Sequence, residues 1–322
     1  MTRVLIALGG NAIKQSNEEG TTENQLKNCE MTAKLLAQIV KGMKKDDRLV
    51  ITHGNGPQSG NLMVQQEMAK SVVPAHPMDV VGAMTQGQIG YMLQQTLTNS
   101  FLELGIKTPV CAMVTRVLVD VNDPEFCFEN ASKPVGEFFA IEEALQLRKA
   151  HPEYVIKKVR PTGDKTWRRV VPSPDPIEIV EVEAIRKIVD AGIILIASGG
   201  GGIPVIGERG HYKGVEAVID KDLAGERLAE VVGADIFLIL TDVDKVKLNF
   251  GKPDEKVIDK MTLEEAEKYL EEGHFLAGSM EPKVKACIRF LRWGGDRAIV
   301  TSLNNAVKAL RNDAGTIITC SE

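Results

Sequence analysis

The sequence is poor in the features that mark membrane proteins, secreted proteins and nucleic-acid-binding proteins. No apolar run approaches the roughly 20 residues that a membrane span needs. The chain opens Met-Thr-Arg and passes directly into a strand pattern, so we expect no signal peptide. The formal net charge of the 322 residues is only −5, with both signs mixed, which argues against a sequence-independent grip on nucleic acid. We therefore expect a cytoplasmic protein with neither a membrane nor a nucleic-acid partner.

Cysteine and histidine are scarce and scattered. The five cysteines include no C-x-x-C pair, and the five histidines are too dispersed for a zinc pattern. An odd number of separated thiols fits free cysteines in a reducing compartment. The sequence thus predicts neither a disulfide framework nor a metal site built from protein side chains.

Two phosphate-binding sequence motifs are also missing. The chain has no Walker A motif and no strict G-x-G-x-x-G. The stretch GNGPQSG at 54–60 is a near miss after a predicted strand, which keeps a nicotinamide-linked dehydrogenase open as an alternative. Against it, Pro57 crowds the turn, and the ribose-binding acid expected about 20 residues further on has no clear strand to carry it.

The chain does contain a regular alternation of strand and helix patterns. Several apolar runs are nearly continuous in Val, Ile and Leu, which is typical of strands covered on both faces. We predict that Asp79 caps one helix and that Gly192 follows the end of another. Alternating elements predict an α/β fold with a largely parallel sheet. The predicted strands are 3–8, 48–52, 109–119, 193–198, 235–240, 297–301 and 315–319, and the predicted helices are 25–45, 79–104, 181–190, 221–232, 262–272, 280–293 and 303–311.

Residues 120–176 break this alternation. They hold seven of the fourteen prolines, together with the basic stretch KKVRPTGDKTWRRVVPSP. We expect this segment to form a small protruding lobe, or lid, outside the sheet.

Three predicted strands end in glycine-rich turns: GGNA, HGNGP and SGGGG. Because the carboxyl ends of parallel strands lie along one edge, these turns should line one crevice. Bare backbone N–H groups and helix N-termini would favour an anion such as phosphate or carboxylate there. The candidate anion-binding residues are Gly9, Gly10, Asn11, Gly54, Asn55, Gly56, Gly200 and Gly201.

Three lysines are the candidate cations for phosphoryl transfer, which needs positive charge aimed at the transferring group. Lys221, in VIDKD, stands where a helix begins, and Lys283 stands in the first turn of another helix. Lys133, in SKPVG, lies in the proline-rich segment.

Taken in order, the motifs resemble carbamate kinase, in the amino acid kinase superfamily. The match runs from about residue 3 to residue 319, and MTQG and VVPSP set carbamate kinases apart from acetylglutamate, glutamate and uridylate kinases. The motifs are ALGGNA, HGNGPQ, MTQGQIGY, KPVGEFF, WRRVVPSP, SGGGGIPV, GVEAVIDKD, LTDVD, GKPDEK, GHFLAGSMEPKV and IVTSL.

The resemblance implies an open three-layer α/β/α sandwich with a mostly parallel central sheet. Residues 1–207 would form the lobe that binds carbamate or carbamoyl phosphate, with the lid at about 120–176, and 208–322 the lobe that binds ADP or ATP with Mg²⁺. The implied reaction is ATP + carbamate ⇌ ADP + carbamoyl phosphate, commonly run towards ATP in arginine or agmatine catabolism. The family forms homodimers through the N-terminal lobe.

The resemblance also implies roles for individual residues. Lys221 and Lys283 would neutralise the transferring phosphoryl group and the nucleotide phosphates, and Asp222 would orient these two lysines. Lys133 would bring a further cation to the phosphoryl site from the lid. Asp220 is a competing candidate for that carboxylate, since it could equally cap the helix. The implied nucleotide-binding residues are Thr241, Asp242, Val243, Gly278, Ser279 and Met280.

Two departures qualify the match. Other amino acid kinases place a lysine at the position that Ala7 holds here, so Lys133 would bring the missing cation from the lid, with Lys165, Arg168 or Mg²⁺ as alternative sources. Carbamate kinases often read GRGWR at the lid tip, whereas this chain reads GDKTWRR.

A non-catalytic nucleotide sensor on the same fold is a further alternative, against which the retained lysines and Asp222 argue.

Overall fold

The computed structural model describes residues 1–13 and 18–321, and for Asn11 its backbone alone. Strands and helices alternate along the chain, as the hydrophobic pattern predicts. The strands are β1 Arg3–Leu8, β2 Arg48–His53, β3 Val110–Ala112, β4 Arg116–Val119, β5 Lys133–Phe139, β6 Val155–Lys158, β7 Trp167–Val171, β8 Pro176–Ile179, β9 Ile194–Ile196, β10 Ile203–Glu208, β11 His211–Gly214, β12 Ile236–Thr241, β13 Lys247–Leu248, β14 Lys256–Val257, β15 Lys260–Thr262, β16 Arg297–Ser302 and β17 Thr316–Thr319.

The helices of the described residues vary from one turn to more than seven. They are α1 Thr22–Gly42, α2 Gln58–Ala69, α3 Met78–Leu104, α4 Ile141–Ala150, α5 Val182–Asp190, α6 Lys221–Val232, α7 Leu263–Glu271, α8 Met280–Trp293 and α9 Ala306–Ala309.

Eight strands form the central sheet, in the order β15-β17-β16-β12-β1-β2-β9-β3. Neighbouring strands are parallel except for β16 and β17, which pair antiparallel. The predicted α/β fold with a mostly parallel central sheet is therefore confirmed. Because β1 lies between β12 and β2, with β9 next to β2, the turns after these four strands meet at one edge of the sheet.

Strand β1 shows why the sheet is covered on both sides. Leu5 and Ala7 point into a core that includes residues of α5, α6 and α8. Val4, Ile6 and Leu8 point into a second core built with α1 and α3. Since successive side chains of a strand alternate in direction, a continuous apolar run requires two apolar layers.

The proline-rich segment carries a small sheet of its own, outside the central one. Strands β5, β7 and β6 pair antiparallel in that order, and α4 packs against all three. A separate four-stranded sheet, in the order β11-β10-β4-β8, lies next to the lid in sequence. The division of the chain into lobes at residues 207 and 208 stays a prediction.

Several predicted elements were wrong in detail. The single strand predicted at 109–119 is two strands in two sheets, because Gln86 binds the backbone N–H and C=O of Thr115 between them. Asp79 does not cap α3, which begins one residue earlier after Pro77. The helix predicted at 303–311 is a 3₁₀ turn followed by the short α9.

Helix α2 and the secondary structure within the lid were not predicted. The amphipathic signal of α2 is weak because only Gln58 is buried along its twelve residues. In the part of the chain that the structure describes, no helix joins the length and the apolar character that crossing a bilayer demands.

Glu226 in α6 is a buried carboxyl inside the core between α6 and α8. Its side chain is 0% exposed, and neither carboxyl oxygen has a hydrogen-bond partner among the described residues. The nearest cation, Arg227, lies 3.7 Å away. Burial, reinforced by Glu230, raises the pKa of Glu226 to about 8. The raised pKa of Glu226 therefore favours the protonated carboxyl in the folded protein.

Glu226→Gln should make the free energy of unfolding less dependent on pH. Because the folded pKa is raised, the contribution of Glu226 is fully present below its usual value of 4.5 and is lost as pH rises towards about 8. We expect the variant to gain stability relative to the parent between pH 5 and pH 8, by at most about 1.4 kcal/mol per pH unit. Urea unfolding at both pH values measures this. Glu178→Gln, at an exposed position of β8, is the control, and parallel pH profiles for Glu226→Gln and the parent would contradict the assignment.

Candidate active site

The turn after β1 brings backbone close to the neighbouring strand end. A Cβ on Gly9 would lie 2.8 Å from the carbonyl oxygen of Leu240, so only glycine fits there without displacement. The Ala12 amide donates to the Gly9 carbonyl at 3.1 Å and closes a 3₁₀ turn. Gly10 faces the crevice, where a Cβ would lie 3.8 Å from the Cα of Gly56. The side chain of Asn11 lies outside the described part of the structure, so its predicted role stays a prediction.

The turn after β9 packs against the turn after β2. Gly200 has a φ of +65°, and a Cβ there would lie 2.1 Å from Oδ1 of Asn55, so the close approach requires glycine. Gly201 is not among the residues that line the crevice, and its amide donates to the carbonyl of Ser198 at 3.1 Å. Gly200 and Asn55 therefore line the crevice, as predicted, whereas the N–H group of Gly201 is already used within the turn.

One carboxylate joins the ends of two helices. Asp222 is 2% exposed, and its Oδ1 accepts from Nζ of Lys221 at 2.5 Å. Its Oδ2 accepts from Nζ of Lys283, on α8, at 3.1 Å. Burial alone raises the pKa of Asp222, but the charges and hydrogen bonds of the two lysines outweigh it and hold the pKa below the usual value. Asp222 is thus ionised and fixes the two ammonium groups side by side.

Asp220 has a separate task. Its Oδ1 accepts from the backbone N–H of Asp222 at 2.9 Å and caps α6. Its Oδ2 accepts from Nζ of Lys133, on lid strand β5, at 3.2 Å. The two candidate carboxylates therefore bind different lysines. Asp222 holds Lys221 and Lys283, and Asp220 holds Lys133.

Two cavities open at this edge of the sheet and share one wall. The first, of about 630 Å³, lies between the turns after β1 and β2, helix α2 and the lid. The second, of about 680 Å³, lies at the ends of β1, β12 and β16 and against α1. Gly10, Lys221 and Lys283 line both cavities. A group held at this shared wall is within reach of a ligand in either cavity.

The predicted residues divide unevenly between these cavities. The first is lined by Gly10, Gly54, Asn55, Gly56, Lys133, Gly200, Lys221, Asp222, Gly278 and Lys283. The second is lined by Gly9, Gly10, Lys221, Thr241, Asp242 and Lys283. Neither lining includes Val243, Ser279 or Met280. The Ser279 carbonyl instead accepts from Lys283 at 3.2 Å, and Met280 packs against the core.

Sequence reasoning missed part of the second cavity. The second cavity is also lined by Met31 and Leu35 of α1 and by Ser302, Leu303 and Asn304 after β16. Met31 and Leu35 lie outside the buried stripe of α1, so two apolar side chains off the core face of this helix were the available signal. The position of Ser302 at a strand end, in the motif IVTSL, was the available signal for the others.

Of the two alternative lid cations, Arg168 reaches the crevice and Lys165 does not. Lys165 lies on the lid surface and pairs with Glu143 at 3.3 Å. Arg168 instead lines the first cavity and donates to the Gly136 carbonyl at 2.5 Å. Its guanidinium lies 4.6 Å from the ring centroid of Phe138. Arg168 and Lys133 therefore bring two positive charges to the crevice from the lid.

Among the residues that the structure describes, no three His, Cys, Asp or Glu side chains come together as a metal cluster. Positive charge at the crevice comes from lysine and arginine side chains, and the carboxylates of Asp220 and Asp222 are bound to lysines. These positive side chains suit an anionic ligand.

Comparison with known proteins agrees with this geometry. The model of the Amino acid kinase family matches residues 2–302. The carbamate kinase of Thermococcus kodakarensis is 54% identical over 318 residues, covering 98% of both chains, and that of Pyrococcus furiosus is 51% identical over 98% of both. The chain belongs to the amino acid kinase family, in its carbamate kinase branch. The dehydrogenase alternative is therefore wrong.

The solved structure of carbamate kinase from Giardia lamblia bound to AMP-PNP shares the fold. Its TM-score against this chain is 0.91 at 42% identity, with 99% of this chain and 98% of that chain covered. Members of the carbamate kinase branch are phosphotransferases, so the chain is an enzyme of this class, as its motifs predict.

Asp222→Asn tests the carboxylate at the centre of the site. Asparagine keeps the size but removes the charge, so the two ammonium groups repel and lose their shared position. We expect a fall in kcat of about 10²-fold, in the range reported for loss of one charge-stabilising group. ADP affinity, measured by calorimetry, should change less. Asp190→Asn, a more exposed carboxylate paired with Arg3, is the control. Loss of ADP binding with unchanged turnover of bound substrate would make Asp222 a binding residue instead.

Proposed function

We propose that the chain catalyses the reversible reaction ATP + carbamate ⇌ ADP + carbamoyl phosphate. The observation that carries this proposal is the pair of cavities that meet at Gly10, Lys221 and Lys283. A phosphoryl group at the shared wall faces a small acid on one side and a nucleotide on the other. Phosphoryl transfer is dominated by such positioning and by charge stabilisation, so few other groups are needed.

The first cavity suits the small acid. Gly54, Asn55 and Gly56 would bind the carbamate end through backbone N–H groups, since carbamate has almost no side chain to recognise. Gly9, Gly10 and Asn11 would hold the transferring phosphoryl group, with Gly200 behind it. The glycine turns present backbone N–H groups and no side chains, which supports a ligand recognised through its anionic oxygens.

The second cavity suits the nucleotide. Thr241 and Asp242 lie at its polar end, and Met31, Leu35 and Leu303 provide apolar surface for a base. Val243, Ser279 and Met280, which line neither cavity, and Gly278, which lines the first, stay proposed nucleotide-binding residues. Mg²⁺ would arrive with the nucleotide, since the carboxylates nearest the shared wall already bind lysines.

In the direction of ATP formation, a β-phosphate oxygen of ADP attacks the phosphorus of carbamoyl phosphate. The bond between phosphorus and the carbamate oxygen breaks, and carbamate leaves with that electron pair. Lys221 and Lys283 neutralise the equatorial oxygens while negative charge spreads over them. Asp222 keeps both ammonium groups at fixed positions, so that the charge is aligned before the reaction starts.

The lid would supply the remaining positive charge at the phosphoryl site. Ala7 is fully buried in β1, so the floor of the site lacks the cation that other amino acid kinases place there. Lys133 approaches from β5, and its bond to Asp220 links the lid to the start of α6. Closure of the lid over carbamoyl phosphate would turn this ammonium group towards the phosphoryl oxygens.

Three further proposals concern the direction of the reaction, the oligomeric state and the location of the enzyme. Carbamoyl phosphate is a mixed anhydride, so its transfer potential favours the direction towards ATP, as arginine or agmatine catabolism would use it. A homodimer through the N-terminal lobe is supported by the sheet edge β3 and by the exposed Tyr91 and Val114 beside it. A cytoplasmic location fits the free cysteines.

A coupled assay tests the function directly. The purified protein should form ATP from ADP, Mg²⁺ and carbamoyl phosphate, and a non-catalytic nucleotide sensor should not. Lys221→Ala removes one of the two paired ammonium groups, so kcat should fall by about 10²–10³-fold in a folded protein. Lys213→Ala, which removes an exposed lysine paired with Glu208, is the matched control. ATP formation near the parent rate by Lys221→Ala would refute its role.

Lys133 variants test the lid. If its charge acts only in the closed complex, Lys133→Ala should lower kcat/KM for carbamoyl phosphate by about 10²-fold. ADP binding, measured by calorimetry, should change little. Lys133→Arg should restore only part of the activity, because a planar fork does not replace a point charge.

Lys165→Ala is the control for the lid, since that lysine pairs with Glu143 on the lid surface. If Lys133→Ala and Lys133→Arg both match the parent, the charge of Lys133 takes no part in the reaction, its bond to Asp220 is structural only, and Arg168 or Mg²⁺ supplies the charge.

A further inference from the structure

His53 ends strand β2 and lies directly behind the turn that lines the first cavity. Its ring is 1% exposed, and His53 does not line the cavity, whereas Gly54, Asn55 and Gly56 do. The imidazole Nδ1 lies 3.0 Å from the carbonyl oxygen of Gly54. A carbonyl oxygen only accepts hydrogen bonds, so Nδ1 carries the proton and donates.

The other ring nitrogen is closely packed. A Cβ on Gly199 would lie 2.4 Å from Nε2 of His53, so the ring fits against the glycine-rich turn only because residue 199 has no side chain. Nε2 has no acceptor to bind as a donor among the described hydrogen bonds. The ring is therefore a neutral imidazole with one defined donor, aimed at Gly54.

Burial and the nearby charge of Lys221 both disfavour a positive charge on the His53 ring. A Cβ on Gly54 would lie 3.0 Å from Cδ of Lys221, so the turn and the lysine stem are in close contact. Burial, and to a smaller extent the charge of Lys221, lowers the pKa of His53 to about 4. A lysine or arginine donor here would place a second cation behind Lys221, and histidine avoids this.

The hydrogen bond from His53 fixes a peptide plane. In a trans peptide the C=O and the following N–H point in opposite directions. Holding the Gly54 carbonyl towards His53 therefore turns the N–H of Asn55 away from the ring, and Asn55 is a residue that lines the first cavity. The Gly54 amide donates to Leu8, and the Asn55 carbonyl accepts from Gln58. Within the described residues the Asn55 amide donates to no protein acceptor.

We propose that His53 is a positioning residue that orients the Gly54–Asn55 peptide, so that the Asn55 N–H donates to an oxygen of the carbamoyl or carbamate group. This role rests on the proposed function, because it names what the free N–H binds. His53 itself touches neither substrate. It acts by holding one backbone donor at a fixed angle before the anion arrives.

Two substitutions separate orientation from packing. Asparagine places an amide nitrogen as far from Cα as Nδ1, so His53→Asn keeps the bond to Gly54. Glutamine places its nitrogen one bond further out, near the position of Nε2, so His53→Gln loses that bond while keeping a polar side chain. We expect His53→Gln to lower kcat/KM for carbamoyl phosphate by about 10²-fold, as for the loss of one oriented donor.

His53→Asn should stay within about 10-fold of the parent in kcat/KM, which is less than the full loss of an oriented donor. The Kd for ADP should stay unchanged in both variants. Equal losses in the Asn and Gln variants, with ADP affinity and Tm falling together, would overturn the proposal and leave His53 a packing residue.

The tautomer provides a readout that does not depend on turnover. Nitrogen NMR of histidine-labelled protein without substrate, with His53 assigned by comparison with His53→Asn, should show a neutral ring protonated at Nδ1. A ring protonated at Nε2 would overturn the proposal. Failure of the parent protein to form ATP would instead refute the proposed function, so the two failures are distinguishable.

Discussion

The bond network around Asp222 is the constraint on which the site depends. Two ammonium groups from different helices would repel each other at the end of the sheet without a shared counterion. A buried carboxylate between them gives each a defined position, and breaking such a pair by removing one partner typically costs about 3–5 kcal/mol. The stability of the contact between α6 and α8 and the placement of charge at the crevice are therefore linked.

The strand order explains why two cavities share one wall. Strand β1 lies between β12 and β2, so its turn reaches both the proposed nucleotide side and the proposed acid side. Gly10 occupies that turn, and Lys221 enters it from the N-terminus of α6. Transfer of a group between two ligands requires this central position, and the order of strands in the sheet provides it.

Glycine is needed in these turns mainly because neighbouring groups approach the backbone closely, and less for flexibility. Gly9, Gly199 and Gly200 each stand where a Cβ would come within 3 Å of a neighbouring turn, strand or ring. Close packing of these turns leaves backbone N–H groups facing the crevice and little room for adjustment. Ser198, with a φ of +54°, shows that even a non-glycine residue in this region is held in a left-handed conformation. The site is thus preorganised by its backbone.

The sequence by itself determined the α/β class, the position of the crevice and the lysines that would line it. Continuous apolar runs followed by glycines are local signals, and parallel strands bring their ends together by geometry. Tertiary structure alone decided how the carboxylates divide, since Asp220 and Asp222 are equally plausible in the string VIDKD until Lys133 and Lys283 approach from elsewhere in the chain. It also decided that Arg168, and not Lys165, faces the crevice, and that residues of α1 line the second cavity. These outcomes depend on contacts between residues far apart in sequence, and no local pattern encodes the direction in which such side chains meet.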